Sequence, residues 1–114
     1  MTINLGGTAF EGPVPLADVA SWKLQGVFVV LGSRREDTGP AHTPLYVGRT
    51  DEAAAGFPWT HRRAACWERE AGAREHLCVA VHAMPYADDE TREAVVRALI
   101  EQYQPRCNTR SHGD

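Results

Sequence analysis

GVFVVLGSRREDTGPAHTPLYVGRT, residues 26–50, contains two short apolar runs, 27–31 and 45–47, each closed by a glycine. A polar connection, residues 32–44, separates them and carries Gly39, Pro40 and Pro44 with no apolar anchor. Runs of this length, rich in Val, Phe and Tyr and bounded by turn formers, read as buried strands. The pair predicts an antiparallel hairpin with a long connection, of the kind that is either functional or mobile.

Downstream of the hairpin, Pro58 pushes Phe57 away from helical dihedrals, so any helix over 51–55 ends there. Thr60 is placed to cap a helix over 61–71 that buries Ala64, Ala65, Cys66 and Trp67, with Gly72 as its stop. Residues 76–84 set Leu77, Val79 and Val81 against Cys78, Ala80 and His82, the alternation of a third strand. Asp88, Asp89 and Glu90 place negative charge at the start of a last helix, and either aspartate can cap it. That helix runs to about residue 104 with a stripe of Val95, Val96, Leu99, Ile100 and Tyr103, and Pro105 stops it. Upstream, residues 5–15 are rich in Gly and Pro and read as an irregular arm. Pro15 to Trp22 then form a short helix with Leu16, Val19 and Trp22 on one side. Trp22 is expected to cover the core edge rather than offer a stacking platform. The expected architecture is α/β (α+β): a small three-stranded antiparallel sheet flanked by helices. An arm and short helix (1–25) pack on one domain (26–108), and a tail (109–114) follows.

A chain of 114 residues is too short to divide into halves that each bury a core. With 43% hydrophobic and 24% charged residues it has globular composition, and no tract is long enough to span a membrane. The net charge of −3 works against strong non-specific binding of nucleic acid, whose affinity rises with the phosphates neutralised. Every basic residue except Lys23 is arginine, however, and the planar guanidinium suits phosphate and carboxylate. The N-terminus has neither the basic nor the apolar segment of a secretory signal. The three cysteines form no C-x-x-C pair, which predicts reduced, mostly buried thiols and a cytoplasmic protein. A zinc site from His61, Cys66, His76, Cys78 and Cys107 would not have the spacing of a ribbon or finger.

Gly26-Val27-Phe28 and Tyr46-Val47-Gly48, then His61 near Cys66-Trp67, a strand, a helix and LIEQYQPRCN (99–108) follow one another in order. This series resembles the GIY-YIG nuclease superfamily over most of the chain. The resemblance implies a three-stranded antiparallel sheet with flanking helices and metal-assisted cleavage of a phosphodiester. In that chemistry a tyrosine of the second motif helps activate water and an arginine on the next helix steadies the phosphate. A glutamate on the late helix holds a divalent cation, and a terminal asparagine supports the site. Such a reaction needs a carboxylate for a hard cation and a positive charge facing the transition state.

Tyr46 and Asn108 stand where the pattern places them, and His61 falls about one turn past the arginine position. Phe28 replaces the tyrosine of the first motif. The family spacing puts Gly56 in the arginine position and Val96 in the glutamate position. The resemblance therefore implies a scaffold with weakened or lost endonuclease activity that binds nucleic acid, DNA ahead of RNA, or a protein partner. A second reading is an active endonuclease using Tyr46, His61, Asn108 and the adjacent Arg49, with Mg2+ or Mn2+ held by Glu93 one turn before Val96. Arg49, Arg62 and Arg63 are the candidate contacts to a nucleic-acid backbone. A third reading is a protein-interaction module using Trp22, Trp59 and the 32–44 connection. Each candidate also has a structural role open to it: Tyr46 in strand packing, Asn108 in a terminal turn, the arginines on a solvated helix face.

Overall fold

The computed structural model describes residues 2–19, 22, 25–32, 42–53 and 55–109. The connection expected over 32–44 and the tail over 109–114 lie largely outside these. In chain order the elements are β1 (Thr2–Leu5), β2 (Thr8–Pro15), β3 (Gly26–Gly32), β4 (Thr43–Arg49), α1 (Ala64–Ala71), β5 (Leu77–Ala83), α2 (Asp89–Tyr103) and α3 (Arg106–Thr109). Short 3-10 turns occupy Leu16–Asp18, Thr50–Glu52 and Arg74–His76.

The fold is α+β, and its antiparallel sheet has five strands in the order β1-β2-β5-β3-β4 rather than the expected three. The two additional strands come from the segment read as an irregular arm. Gly6 and Gly7, at φ +61° and +83°, form the two-residue turn between β1 and β2. Positive φ at both central positions gives a tight hairpin the twist its strands need, and glycine supplies it without steric cost. Gly12 and Pro13 do not end β2; they sit where its register against β5 shifts, between Glu11 and Val14. An irregularity there absorbs residues that cannot follow the regular ladder.

β3 lies between β5 and β4 and is buried along its whole length. That position explains why its sequence is continuously apolar instead of alternating. Phe28 and Val30 face one layer with Tyr46, Trp67, Cys66 and Cys107, while Val27, Val29 and Leu31 face the other with Val47, Val96 and Leu99. α1 and α3 thus cover one face of the sheet and α2 the opposite one. Leu45 has no partner in the β3–β4 register, which passes from Val30↔Tyr46 to Leu31↔Pro44. This bulge turns Leu45 and Tyr46 into the same layer.

α2 has the expected stripe, and Asp88 caps it by accepting from the Thr91 N–H at 2.8 Å. α1 starts later than expected, at Ala64, with Arg63 as its N-cap. The Thr60 hydroxyl donates to the Ala55 carbonyl at 2.9 Å instead of capping a helix. Pro15–Trp22 holds only the 3-10 turn among its described residues, and Trp22 packs 4.9 Å from Phe28 and 5.2 Å from Phe57, at the core edge.

The thiol expectation is overturned. Cys66 of α1 and Cys107 of α3 form a disulfide with Cα atoms 5.8 Å apart, leaving Cys78 as the free cysteine. Both helices pack on one face, which brings together two cysteines 41 residues apart in sequence. The bridge also removes the ground on which a cytoplasmic location was expected. No helix among the described residues is long and apolar enough to cross a membrane.

Candidate functional site

β4 ends at Arg49 and the chain turns back through Thr50–Glu52, which returns the Glu52 carboxylate to the strand it has just left. Glu52 Oε2 accepts from the Arg49 backbone N–H at 3.0 Å. Its Oε1 accepts from the Tyr46 hydroxyl at 2.7 Å and faces His61 Nε2 at 2.9 Å. Gly48 makes this approach possible: a Cβ there would stand 2.8 Å from both Glu52 Oε2 and Tyr46 Cε2. The carboxylate is pinned by three donors and cannot swing aside cheaply. Gly48→Ala is therefore expected to lower stability by about 1–3 kcal/mol, the cost of stranding buried polar groups, as read by chemical denaturation. Unchanged stability would show that the carboxylate can leave without loss.

His61 comes from the turn that precedes α1. Its Nδ1 accepts from the Arg63 backbone N–H at 3.0 Å, so the proton of the neutral ring belongs on Nε2, where it is donated to Glu52. Neither ring nitrogen keeps a lone pair for a metal. The ring stacks on Trp67 at 4.8 Å and meets Tyr46 edge-on at 5.2 Å. The Trp67 indole N–H is buried and has no hydrogen-bond partner among the described residues.

Two opposite pKa displacements follow. Burial, reinforced by the Glu52 charge and hydrogen bond, pushes the Tyr46 hydroxyl well above its usual value, while the Arg62 guanidinium acts on it in the opposite sense. The phenol stays protonated through neutral pH and serves as a donor. Burial also pushes Glu52 upward, but hydrogen bonds from His61, Tyr46 and the Arg49 backbone outweigh it and hold the carboxyl below its ordinary range. Glu52 is an anion across the neutral range.

Glu52, Phe57, Thr60, His61 and Arg62 line an open cleft of about 400 Å³. Of the three arginines expected at a nucleic-acid backbone, Arg62 lines this cleft. Arg63 is half-buried, with its Nε out of solvent. Arg49 projects toward α2, 2.5 Å from Asp51, 3.8 Å from Asp89 and 3.9 Å from Glu93. The Asp51 hydrogen bond heads the interactions that raise the Arg49 pKa. Glu93, the expected cation ligand, is thus drawn to Arg49 on the α2 side, away from the layer that holds Tyr46.

Asn108 lies beside the strand rather than in the cleft. Its Oδ1 accepts from the Val47 N–H at 2.7 Å and its Nδ2 donates to the Val47 carbonyl at 3.0 Å, which seals the open edge of β4 next to Tyr46. Phe28, in place of the motif tyrosine, is fully buried, with its ring 5.8 Å from Tyr46.

The two positions read as missing charges are structural. Gly56 has φ +84°, and a Cβ there would stand 2.5 Å from Thr60 Cγ2, so an arginine does not fit. Val96 belongs to the apolar layer between the sheet and α2. The carboxylate and guanidinium beside Tyr46 come instead from Glu52 and Arg62. The family spacing points to residues 56 and 96 and does not mark Glu52. The available signal was Glu52 three residues beyond Arg49, the separation at which a glutamate carboxylate reaches back to a backbone N–H. Among the described residues no group of three or more His, Cys, Asp or Glu is arranged to hold a metal. Two cysteines of the considered zinc set are joined to each other. No family model matches the chain, and no curated protein or solved structure matches it.

Proposed function

We propose that the chain binds a nucleic-acid phosphodiester in the cleft lined by Glu52, His61 and Arg62, with Tyr46 buried behind Glu52, and cleaves it with the aid of a divalent cation. The observation supporting this is the convergence itself: a carboxylate 2.7 Å from a phenol and 2.9 Å from an imidazole, in a cleft that Arg62 also lines. The preference for DNA over RNA comes from the GIY-YIG resemblance alone.

Glu52 fits a cation as a single ligand. Oε1 is filled by two donors, whereas Oε2 accepts one and keeps a lone pair. One carboxylate completed by water and substrate phosphate is a common Mg2+ arrangement. A bound cation would supply positive charge against the developing phosphorane. His61 and the Arg49 N–H hold Glu52 in place, and Arg62 offers a guanidinium to the phosphate. Tyr46 Oη can take a proton from an attacking water as it passes its own to Glu52 Oε1.

A specific observation favours a second reading, binding without cleavage. Three protein donors already occupy Glu52, and its depressed pKa makes it a weak proton acceptor. Incubation with plasmid or labelled single strands in Mg2+ or Mn2+ separates the two. Cleavage predicts nicking that falls about a hundredfold or more in Arg62→Ala, by loss of a charge facing the transition state, and persists in Glu93→Ala. Salt-sensitive retention without nicking, weakened in Arg62→Ala, selects binding alone. Absence of both at low salt removes nucleic acid and leaves a protein partner.

A further inference from the structure

We propose that the Cys66–Cys107 disulfide is a redox-controlled brace of the cleft, and that a dithiol reductant disarms the cleft by releasing α3 and with it Asn108. The nucleic-acid consequence rests on the function proposed above; the structural consequence does not.

The residues that follow the two cysteines are the two supports of the site. Trp67, after Cys66, stacks on His61 at 4.8 Å and packs 5.5 Å from Tyr46. Asn108, after Cys107, holds both backbone groups of Val47, the neighbour of Tyr46. The covalent link therefore ties the wall behind the imidazole to the clamp on the tyrosine strand. α3 has only four residues, too few for a helix to persist by its own hydrogen bonds. Pro105 precedes it, fully buried, and Arg106 reaches Glu70 of α1 at 3.4 Å on the exposed side, so the bridge, the Pro105 contact, the Asn108 bonds and this solvent-facing pair keep the turn in place.

Both sulfurs are shielded, with Cys66 4% and Cys107 0% exposed, so exchange follows local opening of the short α3 turn. A thiolate of the dithiol attacks one sulfur and expels the other as a thiolate. The second thiol of the reagent then displaces the mixed disulfide. Two electrons and two protons pass to the protein, and the reagent leaves as its own disulfide. Cys78 does not compete as an internal nucleophile: it lies on β5, and burial pushes its thiol up, away from the reactive thiolate.

The test compares the full chain after air oxidation and after dithiothreitol. Thiol titration in denaturant should find one free thiol before reduction and three after, as one disulfide and one free cysteine require. In the reduced protein the Val47 amide should then exchange about tenfold faster or more than Val29 and Val30 of the central strand, which open only with global unfolding. Retention of labelled DNA should fall about tenfold or more and recover on reoxidation, since misplacement of a site by an ångström costs that much or more. Asn108→Ala in the oxidised protein should reproduce the Val47 change with the bridge intact. Three free thiols in the oxidised protein, equal Val47 protection in both states, or Val47 exchanging no faster than Val29 and Val30 after reduction would each overturn the proposal. If Val47 loosens beyond Val29 and Val30 and neither state retains DNA, the brace stands and the nucleic-acid reading fails.

Discussion

Glu52→Gln is expected to lower the proposed phosphodiester cleavage about a hundredfold or more and to destabilise the fold at neutral pH. The carboxylate accepts from three groups at once: the Tyr46 hydroxyl, His61 Nε2 and the Arg49 N–H. An amide has one accepting oxygen and one donating nitrogen. With its oxygen toward Tyr46 and His61, its NH₂ confronts the Arg49 N–H; flipped, it confronts the other two. At least one buried donor is stranded either way, at about 1–3 kcal/mol.

The pH dependence fixes the assignment. Glu52 has a folded pKa below its unfolded value, so its stabilisation is complete above the unfolded pKa and is lost as pH falls through the folded one. Wild type and Glu52→Gln should therefore differ most near neutrality and begin to converge only below the ordinary glutamate range, about pH 4.3, closing fully as pH falls through the lowered folded pKa. Tyr46 has the opposite sign: its pKa is raised, so its contribution persists up to the ordinary phenol range and is lost only above it. Tyr46→Phe removes one donor from Glu52 and should move the acid transition to higher pH. Denaturation from about pH 3 to 8, with nicking assayed alongside, measures both effects. Wild-type cleavage by Glu52→Gln would reduce Glu52 to a structural cap.

The three strands and the long helix were legible because each has a local signal. The run of residues 27–31 is continuously apolar because β3 is central, and β5 and α2 show periods of two and 3.6. The N-terminal hairpin was missed although Gly6-Gly7 between alternating segments is itself a turn signal. The later Gly12-Pro13 drew the whole segment into an irregular reading, whereas a register shift against β5 accommodates it. Of the residues that converge on Glu52, Tyr46 and His61 are singled out by the order of the resembling segments. Glu52 is not, because its role depends on a 3-10 turn doubling back over Gly48, a close approach that residue counting does not encode. The disulfide was equally hidden. Its spacing of 41 residues matches no motif and becomes meaningful only once α1 and α3 share a face of the sheet.

Reduction of that disulfide is expected to lower global stability by about 4 kcal/mol, from the chain entropy that a closed loop of some forty residues withholds from the unfolded state. For a domain of this size the melting temperature should fall by about 10–20 °C. Reduction is a cleaner perturbation than substitution, because Cys→Ser buries a hydroxyl and Cys→Ala leaves a void. Thermal or denaturant unfolding with and without dithiothreitol measures it, and a melting temperature indifferent to reductant would show that the bridge does not constrain the unfolded chain. The global loss has a local counterpart. Loop entropy acts on the unfolded ensemble, but α3 is a single turn whose position depends on its few tertiary anchors. Once the bridge is cut, opening of α3 and release of Val47 should require far less free energy than unfolding β3 and β5. Exchange at Val47 should then become insensitive to low denaturant, while exchange in the central strands continues to follow global stability.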